Sequence, residues 1–314
     1  MKWVYDIVRY TSAQQEAWDA MVDNSANGTF LFRRNYMEYH SDRFTDFSLM
    51  VYSSSKLVAI LPASLHGNEI ISHGGLTYGG LVTPAEVTSA QILDIFEAVA
   101  HYLKEQGIAH WYYKPVPHIY HNYLHESEQY ALYKLQAERT ACNLSSAIDL
   151  GSPLPYAQLR RRGIKRAEKC GIVIEHSSNF ASFWTILEEN LRQKHCVSPV
   201  HTLDEITLLH NRFPDNIQLY TATLNNQVVA GCVVYNTGVV AHAQYISASP
   251  QGKECGALDM LFDYLIKHEY KTCRYFDFGI STEEGGNILN SGLLSQKEGF
   301  GARGVIYETY RISL

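Results

Sequence analysis

Tyr275–Gly304 reads YFDFGISTEEGGNILNSGLLSQKEGFGARG, an apolar strand that opens into a glycine-rich loop. Strand alternation puts Phe276, Phe278 and Ile280 on one face and Tyr275, Asp277 and Gly279 on the other. Asp277 breaks a run that otherwise has the character of a buried strand, and a buried acid without partners is costly. Gly285, Gly286 and Gly292 tolerate positive φ and permit close approach of a ligand. Lys297, between Gly292 and Gly299, is expected in this loop with little bulk to shield it. A strand end that presents an acid, a flexible loop and a lysine has the makings of a site; a surface loop with a solvated lysine is the plain alternative.

Working outward, the strand closes a pattern that occurs twice. Strand Ile217–Thr223 turns at Asn225-Asn226 into Gln227–Tyr235, followed by Val239–Ser247, a bend at Pro250–Gly256, a helix with Leu258, Leu261, Phe262 and Leu265 inward, and the strand Arg274–Ile280. In the first half the order is Phe47–Tyr52, Leu57–Leu65, Glu69–Val82 with its glycine bend, a helix over Ser89–Gln106 ended by Gly107, and Ile108–Tyr113. Leu57 corresponds to Val228, Leu93 to Leu258 and Tyr112 to Phe276. Such an order points to a duplicated α/β (α+β) domain, residues 1–150 and 151–314, each a mixed central sheet flanked by helices. Gly151, Pro153 and Pro155 punctuate the join.

Helices precede each set of strands. Ser12 with Gln15 predicts a capping box for a helix burying Trp18, Met21 and Val22, and Phe30–Phe44 predicts a turn and second helix. In the second half, Leu159–Cys170 is short and basic, and Asn179–His195 carries the stripe Phe180, Phe183, Trp184, Leu187 and Leu191. Thr202 with Glu205 caps a third helix ending near Phe213.

A formal net charge of −6 argues against a protein that coats DNA or other nucleic acid indiscriminately, so any anion site must be local. No apolar run reaches the ~18 residues of a transmembrane helix. The opening MKWVYDIVRY lacks the apolar core and cleavage site of a signal peptide, and the six cysteines show no CxxC spacing. A cytoplasmic protein with free thiols is the expectation. His118, His121 and His125 have spacings that suit one helical turn, but no fourth ligand accompanies them, and no metal is expected.

The order β-α-α-β-β-β-α-β, twice, resembles tandem domains of the GNAT acyltransferase fold. In detail the chain resembles the FemAB-like peptidyltransferases and related two-domain N-acyltransferases. LRRRGIKRAEKCGIVIE at 159–175 is similar to that family's basic helix, glycine and strand at the start of the second domain. FWTILEENLRQKH at 183–195 is similar to its next helix. KEGFG at 297–301 resembles the Lys-x-x-Phe-Gly of the FKxxFG motif, with Gln296 where the leading Phe stands.

The resemblance implies direct transfer of an acyl or aminoacyl group to an amine of a nucleotide- or lipid-linked cell-envelope precursor, of peptidoglycan or polysaccharide, in a cleft between domains. It implies no tightly bound cofactor, the donor being aminoacyl-tRNA or acyl-CoA. Two departures stand out. The CoA-binding turn Q/R-x-x-G-x-G/A is matched only by Gln251-Gly-Lys-Glu-Cys-Gly256-Ala257, which keeps two glycines and loses their spacing. The first domain's last strand ends Lys114-Pro115 where the family has Asp-Pro, which reverses the sign of a charge expected at the acceptor. A CoA-dependent N-acetyltransferase acting on an amino sugar and a non-catalytic nucleotide-sugar binding module are the alternatives.

Amine acylation demands a base for the amine, positive charge or N–H donors for the oxyanion, and a held acceptor. Lys297 is the first choice for the positive charge. His242 is the candidate base, being the side chain that titrates near neutrality; Asp277 would orient a cation or the amine. Tyr245 resembles the family's cleft tyrosine and would hydrogen-bond the acceptor. Arg162, Lys165, Arg166 and Lys169, within the run that begins at Arg160, would clamp phosphate. Arg192 and Lys114 complete the substrate-binding candidates, although for Arg192 a favourable contact with a helix C-terminus explains the charge equally well.

Overall fold

The computed structural model describes residues 5–195 and 197–314. The chain forms two compact units, and each is built around the repeat read in the sequence. Unit 1 comprises the residues up to Leu144 with Thr282–Ile288 and Ile306–Leu314. Its elements begin with β1 (Tyr5–Arg9), α1 (Gln15–Asp23), α2 (Arg34–Met37), β2 (Thr45–Asp46), β3 (Leu49–Ser53) and β4 (Lys56–Leu61). They continue with β5 (Ser64–His66), β6 (Glu69–Ile71), α3 (Ser89–Glu105), β7 (His110–Tyr113), α4 (Ser127–Lys134) and β8 (Glu138–Asp149).

β1, β3 and β4 form an antiparallel sheet, while β6 and β7 are a parallel pair linked by α3. The helix has the expected inward face: Ile92, Phe96, Val99 and Leu103 are buried, and Phe96 stacks on Trp111. Thr88 and Gln91 cap its start, and Gly107 turns the chain away at φ +76°. Such a left-handed position suits a residue without Cβ.

Tertiary contacts moved two of the expected elements. The first capping box is Thr11 with Gln14, one residue earlier than the sequence predicts, and serves a 3-10 turn ahead of α1. Phe30–Phe44 is broken into 3-10 turns on either side of the short α2. There Arg34 is buried, paired with Asp46 and laid over the Tyr10 ring, and its backbone N–H donates to Asp19. These fixed contacts outweigh helical continuity.

Unit 2 comprises Ser145–Ser281 and Leu289–Val305. Its elements are α5 (Gln158–Cys170), β9 (Val173–Ser177), α6 (Phe180–His195), α7 (Leu203–Arg212), β10 (Ile217–Leu224), β11 (Gln227–Asn236) and β12 (Val240–Ala248). Then come α8 (Pro250–Cys255), α9 (Ala257–Tyr264), running into a π-helical turn at Leu265–Glu269, and β13 (Tyr275–Ile280). β14 (Thr282–Glu283), β15 (Ile288–Leu289), α10 (Ser291–Glu298) and β16 (Arg303–Ser313) complete the chain.

In unit 2 the strands lie in the order β9, β10, β11, β12, β13 and then Ser145–Asp149 of β8. β10 and β11 join through Asn225 and Asn226, both at positive φ, the geometry of a tight hairpin turn. β12 and β13 are parallel and linked by α8 and α9, the arrangement that β6, α3 and β7 take in unit 1. The core packs Phe262, Phe276, Phe278 and Phe300 together.

The units do not follow the expected division at 150/151. Ser145–Asp149 pair with β13 in unit 2, and the last residues of β16 pair with β7 in unit 1, where Ile312 is buried with Trp111. Backbone pairing and burial assign these strand halves, whatever their place in the chain. Among the described residues, no helix is long and apolar enough to cross a membrane. The described cysteines are free thiols; Cys196 lies outside the described residues.

Unit 1 buries a carboxyl group. Glu128 is 1% exposed and accepts a short hydrogen bond from the Tyr113 hydroxyl, and burial raises its pKa to about 8. An acid whose folded pKa lies above its unfolded one binds more protons when folded, so stability falls as pH rises toward the folded value. Buried His73 and His121 act oppositely, but their pKa values are pushed down to about 3 and about 4, so their effect is complete below the unfolded histidine pKa. Glu128→Gln should therefore gain stability relative to wild type between pH 6.5 and 8. Urea midpoints that keep a constant offset across that range would contradict the assignment.

Candidate active site

Three side chains converge on the end of β13. Asp277 is fully buried, and its Oδ1 accepts from the Ser145 hydroxyl at 2.6 Å and from Gly279 N–H at 3.1 Å. Its Oδ2 faces His242 Nδ1 at 2.8 Å. A carboxylate can only accept, so the proton of this bond sits on Nδ1, and a base role falls to Nε2. The parallel register that sets Asp277 opposite His242 creates the pair.

Gly279 connects this pair to Lys297. The glycine has φ +76°, and a Cβ there would come within 3.3 Å of the His242 ring. Its carbonyl and that of Ile280 each accept from Lys297 Nζ at 2.7 Å. Lys297 is 4% exposed, and burial lowers its pKa to about 8, with Asp277 opposing the shift. An ammonium has three N–H donors, so one remains after the two carbonyls.

The remaining donor has somewhere to point. Pairing of β12 with β13 stops at His242 and Asp277, and β12 carries a bulge opposite Val233 and Val234. Beyond this parting lies a cavity of about 440 Å³ in unit 2, lined by Ile246 and Ser247 of β12, Phe278 of β13, Asn190 of α6, and Gln296 and Lys297 of α10. Its walls are apolar on most sides, with Lys253 and Asn190, joined by a 2.8 Å hydrogen bond, as further polar groups.

Several sequence expectations find other places. Lys297 stands on a helix, not in a loop: Asn290 caps α10 by accepting from Leu293 N–H, and Phe300 anchors the chain that follows. Of the loop glycines, Gly286 packs where a Cβ would sit 1.9 Å from the Cys142 carbonyl, so close packing against β8 explains it. Tyr245 does not join His242. Its hydroxyl lies 2.5 Å from His201 Nδ1, its ring packs on Trp184, and burial raises its pKa to about 12. The bulge at Gln244 sets both side chains on one face of β12, but Tyr245 is committed to His201 and Trp184 while His242 is committed to Asp277.

Arg162, Lys165, Arg166 and Lys169 are exposed on α5, and Arg192 is exposed on α6; none of them lines the cavity. Lys114 belongs to unit 1, where its ammonium donates to the carbonyls of His73 and Leu76 and burial lowers its pKa to about 8. It tethers a turn. His121 bonds the Val116 carbonyl and His125 lies 3.4 Å from the Thr83 hydroxyl. Gly252 and Gly256, the two glycines of the bend compared with a CoA-binding turn, sit where a Cβ would meet the Val229 and Gly163 carbonyls, so close packing explains both. Ser145, Asn190 and Lys253 were missed, since no local pattern marks a polar side chain whose partner lies far away in the sequence.

Residues 158–284 match the family model of the acetyltransferase (GNAT) domain. The fold is shared with FemX at a TM-score of 0.70 and 9% identity, covering 98% of this chain and 97% of that one. It is shared also with the C-terminal domain of a putative lysylphosphatidylglycerol synthetase from Agrobacterium fabrum (TM-score 0.63, 12% identity, 96% and 92% covered). The L-PGS of Bacillus licheniformis is similar (0.62, 13%, 94% and 90%). No curated protein matches in sequence. The class is defined for unit 2, where residues 158–284 form a GNAT domain. Over nearly its whole length the chain shares the fold of FemX.

Ser145→Ala would remove the 2.6 Å hydrogen bond to the buried Oδ1 of Asp277. We expect a loss of about 1–3 kcal/mol in urea unfolding; an unchanged midpoint would show that the hydroxyl does not hold the carboxylate.

Proposed function

We propose that unit 2 transfers an acyl or aminoacyl group to an amine of a nucleotide- or lipid-linked cell-envelope precursor. The observation that carries this reading is the parting of β12 and β13, with the His242–Asp277 pair at its start and Lys297 lining the cavity beyond. The amine nitrogen attacks the acyl carbon and forms the C–N bond. His242 Nε2 takes the proton the amine gives up, while Asp277 holds the ring and stabilises the imidazolium. The third N–H of Lys297 serves the oxyanion. The bond to the leaving oxygen of an aminoacyl ester, or to the sulfur of a thioester, then breaks, and the imidazolium proton passes to the leaving group. No covalent enzyme intermediate is needed.

The fold likeness to FemX and to a protein named as a putative lysylphosphatidylglycerol synthetase supports an envelope acceptor, and an aminoacyl-tRNA donor follows from the FemAB-like resemblance of the sequence. The exposed cations of α5 would then contact phosphates. The acetyltransferase family model favours a second reading, an acyl-CoA donor and an amino-sugar acceptor. Thermal shifts with acyl-CoAs, UDP-sugars and aminoacyl-tRNA separate the two, because only a ligand of the folded state raises the melting temperature.

Lys297→Ala should lower kcat by roughly 10²–10³ and His242→Ala by roughly 10²–10⁴. Since Lys297 loses its proton near pH 8, wild-type kcat/KM should fall above that pH. The residual activity of Lys297→Ala should lack this limb. Activity within a few-fold of wild type in the lysine variant would remove Lys297 from the chemistry.

A further inference from the structure

A second concavity in unit 2, of about 520 Å³, is lined by α5, the segment 150–156 and the π-helical turn at Leu265–Glu269. Its walls are Leu154, Pro155, Tyr156, Ile164 and Ile266, and the cations Arg161, Lys267 and Lys271 stand around it. It shares no lining residue with the cavity that holds Lys297. Leu154 is 42% exposed beside this groove.

The charges are unevenly matched. Lys267 is paired with Asp263 and lies over the Tyr156 ring at 4.6 Å. Arg161 and Lys271 have no ion-pair partner among the described residues. On α5, Arg161 and Ile164 share the groove face, while Arg162 and Lys169 point to a neighbouring one. The other side of the helix is committed to α9: Gly163 and Ala167 are buried, and Arg160 is held by Asp259. A chain with net charge −6 thus places cations around an apolar slot.

An apolar slot with cations at its edge is complementary to an amphiphile with an anionic head. A free phosphate would leave the apolar walls unused, and a nucleic acid would find no exposed aromatic face on which bases could stack, since Tyr156 is covered by Lys267. We propose that this groove docks the protein on a bilayer by taking the phosphate headgroup and proximal hydrocarbon chain of an anionic phospholipid. Arg161 and Lys271 would bind the headgroup, and Leu154 and Ile164 the chain. This does not rest on the acyltransfer reading, because the groove is separate from the Lys297 cavity.

The test is co-sedimentation of the full chain with vesicles of phosphatidylcholine alone or mixed with phosphatidylglycerol. Wild type should pellet with the mixed vesicles only. The double variant Arg161→Glu/Lys271→Glu should lose at least about tenfold in affinity. Arg162→Glu/Lys169→Glu should lose clearly less, and Leu154→Asp should weaken binding at low salt with every cation intact. Unchanged circular dichroism would confirm that the variants, all at exposed positions, are folded. Equal loss in both charge-reversal pairs with no effect of Leu154→Asp would mean a generic basic surface and overturn the proposal. So would displacement by excess inorganic phosphate, binding of tRNA through the same residues without vesicle binding, or no vesicle binding.

Discussion

The buried carboxylate of Asp277 is the constraint on which unit 2 is arranged. Left unpartnered at zero exposure it would cost several kcal/mol; here three donors from three strands satisfy it, Ser145 of β8, His242 of β12 and Gly279 of β13 itself. Each bond requires its strand to be in register. The bonds from Ser145 and His242 therefore align β8, β13 and β12 at this level, and β12 and β13 are released from each other just beyond it. Where they part, main-chain groups and side chains can face a ligand instead of a neighbouring strand. Satisfying one acid and opening one cavity are the same structural event.

Burial governs the lysines as well. Lys297 and Lys114 are each drawn inward until their ammonium groups meet two backbone carbonyls, and in both burial lowers the pKa to about 8. An ammonium, with three donors on one atom, can bridge two carbonyls of a bend. For Lys114 the bend is the His73–Leu76 turn of unit 1; for Lys297 it is the end of β13, with a cavity alongside. The difference between a tether and a candidate catalytic group lies in what borders the remaining N–H.

Glycines divide in the same way. Gly279, Gly256 and Gly286 all have positive φ, but Gly279 keeps a side chain off the His242 ring, whereas backbone carbonyls approach Gly252, Gly256 and Gly286. In sequence these glycines look alike. Close packing removes Cβ as surely as ligand approach does, so glycine-rich loops alone do not separate site from scaffold.

Local chemistry made much of the architecture legible from sequence: the period of Ile92, Phe96, Val99 and Leu103, the Thr202–Glu205 capping box, the Asn225-Asn226 turn, and the repeated strand, helix, strand order. These signals each lie within a few residues, so local chemistry is enough to carry them. The acid in YFDFGI and the lysine in KEGFG were also visible as anomalies. Their surroundings were decided only by the tertiary structure: Ser145 and His242 as partners of Asp277, the carbonyls that hold Lys297, the turning of Tyr245 toward His201, and the pairing of β16 with β7. Each depends on residues far apart in the chain meeting through strand register and burial, and neither composition nor spacing carries that information.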